Sequence, residues 1–161
     1  LTIRRYPDPA LRTRAEPVFD FGPELATLAA DLYETMTAAP GVGITAPHCG
    51  ILKRLTVIDL PELGGRQTYV NPDILWFSND VMTHTEGSVS MPGITDEVTR
   101  PKAVRVRYQT LEGAVVEEDL EGFAAICMQH EVDQLDGIFW IQKLSRLKRE
   151  RLLKKWEKAA R

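Results

Sequence analysis

Apolar residues recur along this chain first at helical spacing, then at strand spacing, then at helical spacing again. Leu25, Leu28, Ala29, Leu32 and Met36 stand three or four residues apart, which predicts an amphipathic helix over residues 23–38. Gly22-Pro23 supplies its start, because proline is tolerated in the first helical turn, and Pro40-Gly41 ends it. Before it, Pro7, Pro9 and Pro17 preclude a long helix and predict an irregular segment over residues 1–19. Residues 55–60 form a run rich in β-branched side chains closed by Pro61, and Gly64-Gly65 turns the chain into a second strand at 67–70. Val104, Val106 and Tyr108 alternate with Arg105 and Arg107, a half-buried strand; Leu111-Glu112-Gly113 turns it back into residues 114–120. From residue 122 to 135 the period is helical again. Phe123, Cys127, His130 and Gln134 then share one helical face. A short strand is expected next, and Ser145 is a suitable N-cap for a last helix over 146–160. The order predicts an α+β fold: mainly antiparallel sheets packed around a buried central helix, with a C-terminal helix.

Composition narrows the class without naming a chemistry. A chain of 161 residues, 43% apolar and 27% charged, suits one domain over residues 1–161 with a core large enough to fold without disulfides. No stretch approaches the ~18 uncharged apolar residues of a membrane helix, and the first 25 residues hold no apolar run that would make a leader. The two cysteines, Cys49 and Cys127, do not build a disulfide framework, so a reducing, cytoplasmic setting is expected. Cys127 reads as core. Cys49 has no second cysteine near it for a metal pair. Trp76 and Trp140 read as packing residues.

The net charge of −3 hides an asymmetry. Residues 145–161 carry eight basic and two acidic groups; the other 144 residues carry 12 basic and 21 acidic ones. Either the basic tail meets a polyanionic partner, or it is a solvated helix lying on an acidic body.

The chemistry centres on Gln129-His130-Glu131-Val132-Asp133-Gln134. A helical metallohydrolase site needs two histidines one turn apart and a carboxylate beside the first. His130 and Glu131 supply half of that pattern, but Gln134 stands where the second histidine belongs. His84, two residues before Glu86, reads as strand packing rather than a ligand.

Two further segments change the weight of this one. Gly41-Val42-Gly43-Ile44-Thr45-Ala46-Pro47-His48 lies upstream, and Glu86-Gly87-Ser88-Val89-Ser90-Met91-Pro92 lies between. With residues 129–137, they resemble, in order and spacing, the three signature motifs of the peptide deformylase family. Tyr6-Pro7-Asp8-Pro9-Ala10-Leu11, the Arg100-Pro101 step and the basic C-terminal helix extend the resemblance over nearly the whole chain. The resemblance implies removal of the formyl group from the N-terminal formyl-methionine of nascent chains, by an iron, nickel or zinc ion on one cysteine and two histidines. Carried over by position, the first histidine is His130 and the catalytic carboxylate is Glu131. The cysteine has become Ser88 and the second histidine has become Gln134. The family's formyl-holding glutamine is His48 here, and the backbone N–H that shares that role is at Val89. Substrate contacts fall on Val42, Gly43, Ile44, Glu86 and Gly87, with the peptide added as a strand.

A serine hydroxyl and a carboxamide are poor substitutes for thiolate and imidazole. No tightly held cofactor is therefore expected, only zinc, nickel or iron at low occupancy. The reading adopted is an impaired deformylase that still binds peptide N-termini, its site relaxed into a hydrogen-bonded cluster of Ser88, Gln134, His130, Glu131 and His48. The alternatives are an active hydrolase on N-formyl or N-acyl peptides, with His48 and His130 rebuilding the metal site or Ser88 acting as nucleophile, and a ribosome-associated module docking through the basic helix.

Overall fold

The computed structural model describes residues 1–160. Helix α1 (Pro23–Ala38) leads to a short strand β1 (Gly43–Thr45) and a buried 3-10 turn at Ala46–Cys49. Strands β2 (Leu55–Leu60), β3 (Gly65–Phe77), β4 (Val81–Gly87), β5 (Thr95–Pro101), β6 (Ala103–Gln109) and β7 (Val115–Glu121) follow, then helix α2 (Phe123–Leu135) and helix α3 (Arg146–Ala159). Five strands make an antiparallel sheet in the order β1-β2-β3-β6-β7, and β4 and β5 pair with each other alone.

Strand β2 explains how the layers assemble. Five of its six residues are buried, so both of its faces are covered. Leu55 and Val57 join the core made with α1, while Ile58 and Leu60 join the core made with α2. Strand β6 keeps the expected alternation: Val104, Val106 and Tyr108 are buried, and Arg105 and Arg107 face water. Helix α2 is buried along most of its length and packs against both the large sheet and β5. A third core joins Leu11, Val98, Trp140 and Leu152, fastening the N-terminal segment, the hairpin and α3 to one another. Ser145 caps α3 as predicted, its hydroxyl accepting from the Lys148 N–H at 3.3 Å.

Three expectations are corrected. The strand at 67–70 does not stop at Asn71-Pro72; β3 runs on to Phe77. Asn71 takes a left-handed φ of 51° and its amide clamps the Val18 backbone, accepting from N–H at 2.8 Å and donating to C=O at 2.9 Å. Turn chemistry thus bends this strand and shifts its register instead of ending it. The short strand expected after α2 is a 3-10 turn at Trp140–Lys143. Phe139, Trp140 and Ile141 are all buried in succession, which a two-residue alternation cannot do beside one core face. Trp140 is a packing residue, but Trp76 is 53% exposed near the end of β3.

Candidate functional site

The three segments singled out in the sequence meet at one cleft of about 500 Å³. Its walls are the chain at 39–43 leading into β1, the end of β4 with the loop 88–95, and the exposed side of α2. Gly41, Val42, Gly43, His48, Glu86, Gly87, Ser88, Val89, His130 and Glu131 all line it. Ile44 does not; its side chain is fully buried in the core shared with α1. Gly43 is glycine for a local reason: a Cβ there would lie 3.1 Å from Glu131 Oε1, so only a bare backbone lets β1 approach the carboxylate.

His130 is oriented by Glu86, whose Oε1 lies 2.9 Å from Nδ1. Glu86 is gripped in turn by Arg100, through Nε to Oε2 at 2.5 Å and Nη2 to Oε1 at 2.9 Å, and Arg100 reaches on to Asp133 at 2.8 Å. Burial works against the Glu86 charge, but the bonds from His130 and Arg100 outweigh it and hold its pKa at about 2. An ionised carboxylate only accepts, so the Nδ1 of His130 carries a proton. Burial also opposes charge on His130, yet Glu86 and Glu131 raise its pKa above the usual value. Glu131 sits beside it, Oε1 at 3.9 Å from Nε2, and burial pushes this carboxyl up to about 7. Its Oε2 is buried without a partner.

His48 is turned the other way. The Thr45 N–H donates to its Nδ1 at 2.9 Å, and the Thr45 hydroxyl stands at 2.9 Å from the same nitrogen. A ring nitrogen that accepts from a backbone N–H has no proton of its own, so the proton of this imidazole is on Nε2. Burial, helped by the neighbouring charge on His130, lowers the His48 pKa to about 3. Its Nε2 is buried without a partner.

The expected relaxed cluster of Ser88, Gln134, His130, Glu131 and His48 does not form. Each side chain is satisfied, where it is satisfied, by something outside that set. Ser88 Oγ accepts from the Ser90 N–H at 3.1 Å. Gln134 lies off the cleft and donates to the Leu11 carbonyl at 2.8 Å, joining α2 to the N-terminal segment. Ser88 and Gln134 are thus taken up by backbone groups, as short polar side chains commonly are. Among the described residues, no group of three or more His, Cys, Asp or Glu side chains converges as a metal site.

Cys127 forms part of the cleft wall, its thiol pushed up by burial, and Cys49 is buried at the foot of the 3-10 turn. His84 packs its ring on Phe123, centroids 4.7 Å apart, as strand packing requires. Sequence reasoning noted Arg100 only as part of a flank and gave Asp133 no role. A signal was available: a glutamate expected in a buried motif needs a cation, and Arg100 is the nearest arginine or lysine to Glu86 along the chain.

Comparison with known proteins places this cleft in a context. The polypeptide deformylase family model matches residues 1–150. A peptide deformylase-like protein of Brucella melitensis biotype 1 is 54% identical over the full length of both chains. A peptide deformylase of Phenylobacterium zucineum is 46% identical, covering 96% of this chain and 93% of that one. The crystal structure of peptide deformylase from Ehrlichia chaffeensis in complex with actinonin superposes with a TM-score of 0.94 at 33% identity, covering 100% of this chain and 98% of that one. Fold, motif order and full-length similarity agree, and the chain belongs to the polypeptide deformylase family.

Proposed function

We propose that this chain is a deformylase-family protein that binds peptide N-termini while metal-dependent deformylation is lost or severely impaired. The observation that carries the reading is the donor set. Two of the three positions where the family holds its metal are Ser88 and Gln134, and Gln134 spends its amide on the Leu11 carbonyl away from the cleft. A neutral hydroxyl already accepting from Ser90 N–H and an averted carboxamide do not fit a transition-metal centre. His48 does not repair it, because its Nδ1 lone pair is taken by the Thr45 N–H and its Nε2 carries the proton, which leaves no lone pair to give. Ser88 has no histidine partner to activate it; its hydroxyl accepts from the Ser90 N–H instead.

The peptide-binding half of the reading rests on topology. Strand β1 is at the edge of its sheet, paired with β2 on one side only, and its free side adjoins the cleft. An extended peptide can add there through backbone hydrogen bonds, which depend on neither Ser88 nor Gln134. The test is elemental analysis of purified protein together with titration of a formyl-methionyl peptide. The expected result is far less than one equivalent of iron, nickel or zinc, with peptide binding retained. Stoichiometric metal with turnover of the formyl peptide would overturn the reading.

The basic helix carries a second proposal, that α3 docks on ribosomal RNA. Lys148 reaches an acidic group of the body, Asp96 at 3.7 Å, and Arg146 pairs within the helix with Glu150. Arg151, Lys154, Lys155 and Lys158 are exposed, while Leu152 is buried in the core. That arrangement favours an outward-facing basic surface over a helix that neutralises the body. Co-sedimentation with ribosomes should weaken steeply as salt rises, through counterion release. Replacing Lys148, Arg149, Arg151, Lys154 and Lys155 with Ala should abolish it and leave the thermal midpoint nearly unchanged. Loss of thermal stability with unaltered sedimentation would reject the docking.

A further inference from the structure

A second cavity, of about 330 Å³, lies between β3, β5 and a different face of α2 from the one that walls the cleft. That volume is at the small end of ligand sites. One side is apolar, built by Ile74, Phe77 and Val132. The other is polar, and its hydrogen-bonding capacity is unbalanced. Every nitrogen of the Arg100 guanidinium already donates, Nε and Nη2 to Glu86 and Nη1 to Asp133. Lys143 is exposed at the mouth, 3.6 Å from Asp133 Oδ2, too far for a hydrogen bond. The acceptors are left over. Gln129, Asp133 and Asp136 stand at i, i+4 and i+7 along α2 and its cap, so they share a face. Gln129 is 4% exposed, and its amide nitrogen donates to the Pro101 carbonyl at 2.8 Å and the Ala125 carbonyl at 3.1 Å. Carbonyls only accept, so the nitrogen is fixed on that side, and the Gln129 oxygen on the other fork has no partner among the described residues. Asp133 uses only Oδ2, and Asp136 only Oδ1, on Arg54 at 2.8 Å and Arg14 at 3.3 Å. Their other oxygens have no hydrogen-bond partner among the described residues. A surplus of acceptors beside an apolar wall specifies a ligand with several N–H donors on an apolar stem, and the carboxylates favour positive charge on its head.

We propose that this second cavity binds a small organic cation, a guanidinium or primary ammonium carried on a short apolar stem. The head donates to Gln129 Oε1 and to the unpaired oxygens of Asp133 and Asp136. The stem lies against Ile74, Phe77 and Val132. Lys143 competes with the ligand for Asp133 and swings out to solvent when the ligand enters. The site is independent of the peptide-binding reading and stands or falls without it. The same head group occurs on free amines and guanidines and on lysine and arginine side chains of other proteins, and the choice of probes separates these sources.

The experiment titrates the full chain with n-butylguanidinium and, separately, with pentanoate, whose stem is similar and whose charge is opposite, while NMR follows the methyl resonances. A probe of this size binds in the millimolar range. The methyl groups of Ile74 and Val132 should shift and saturate with butylguanidinium, while those of Val42 and Val89, which line the cleft, stay in place. Pentanoate should bind about tenfold or more weakly, the size of effect that charge-assisted hydrogen bonds produce. Gln129→Met keeps the stem and removes the acceptor, and should weaken butylguanidinium about fivefold or more. Lys143→Met changes an exposed side chain, leaves the fold intact and removes the competing cation, so it should tighten binding by about twofold to fivefold. N-acetyl-arginine N-methylamide carries the same head on a peptide backbone; binding tighter than butylguanidinium assigns the cation to a protein side chain, and weaker binding assigns it to a free small molecule. Four results would overturn the inference: no shift at Ile74 and Val132 with tens of millimolar butylguanidinium, shifts confined to Val42 and Val89, equal binding of pentanoate, or binding that Lys143→Met weakens or leaves unchanged.

Discussion

On the proposed reading, Ser88→Cys combined with Gln134→His is expected to raise both metal content and deformylase activity well above those of the wild-type chain. Position 134 is one helical turn beyond His130 on α2, and Ser88 faces α2 across the cleft. The rest of the apparatus is in place. Glu86 and Arg100 already orient His130, and Glu131 has the near-neutral pKa of about 7 that suits a proton acceptor working at neutral pH. The loss of even an outer-shell partner typically costs 10–100-fold in metal affinity or activity, so restoring two direct ligands should raise deformylation by at least about a hundredfold. Each single restoration should do little, because an ion with two protein ligands is readily lost. The double variant gives up the Gln134 bond to Leu11, which should cost about 1 kcal/mol of stability. Elemental analysis and deformylation of a formyl-methionyl peptide check the outcome. A double variant that stays free of metal would show that the backbone at 88 and 134 does not hold ligand geometry, and would reject this prediction.

The sequence exposed the fold well wherever burial has a simple period. Helix α1 lies over the residues its apolar spacing indicates, and the alternation of β6 marks its buried face correctly. Legibility fails where one local signal serves another end. Asn71-Pro72 has the composition of a turn, yet it bends β3 because Asn71 is occupied with Val18 across the structure. Phe139-Trp140-Ile141 has strand composition, yet Phe139 caps a 3-10 turn that Trp140 and Ile141 begin, and all three are buried where three elements converge. The site divides in the same way. Which segments meet was legible, since motif order implies it. Which hydrogen bond each side chain makes was not, since Gln134 and Ser88 are satisfied by backbone groups that only the folded chain brings near.

Removing the Arg100 guanidinium is expected to be the most destabilising single change near the site. Arg100 and Glu86 are 4% and 6% exposed, and their bidentate pair is continued on one side to His130 and on the other to Asp133. Arg100→Ala leaves the Glu86 carboxylate buried with only His130 as partner, and it leaves a void where the guanidinium was. Breaking a buried pair by deleting one member costs about 3–5 kcal/mol, because the remaining charge stays desolvated. A Glu86→Gln/Arg100→Met double variant should be less destabilised than Arg100→Ala, because it removes the stranded charge along with its partner. The pH dependence distinguishes this account from a pure packing loss. The Glu86 pKa falls from 4.5 to about 2 on folding, so its contribution is present above 4.5 and is lost as pH drops from 4.5 to about 2. Glu131 and His130 have raised pKa values, so their contributions have the opposite sign and decline as pH rises, for Glu131 between 4.5 and about 7. In Arg100→Ala the Glu86 pKa moves back towards its ordinary value, and the acid limb of the stability curve should flatten. Thermal melts of wild type and variant across this range measure it. A uniform drop in stability at every pH would mean that Arg100 acts through packing alone, and that the buried carboxylate does not depend on it.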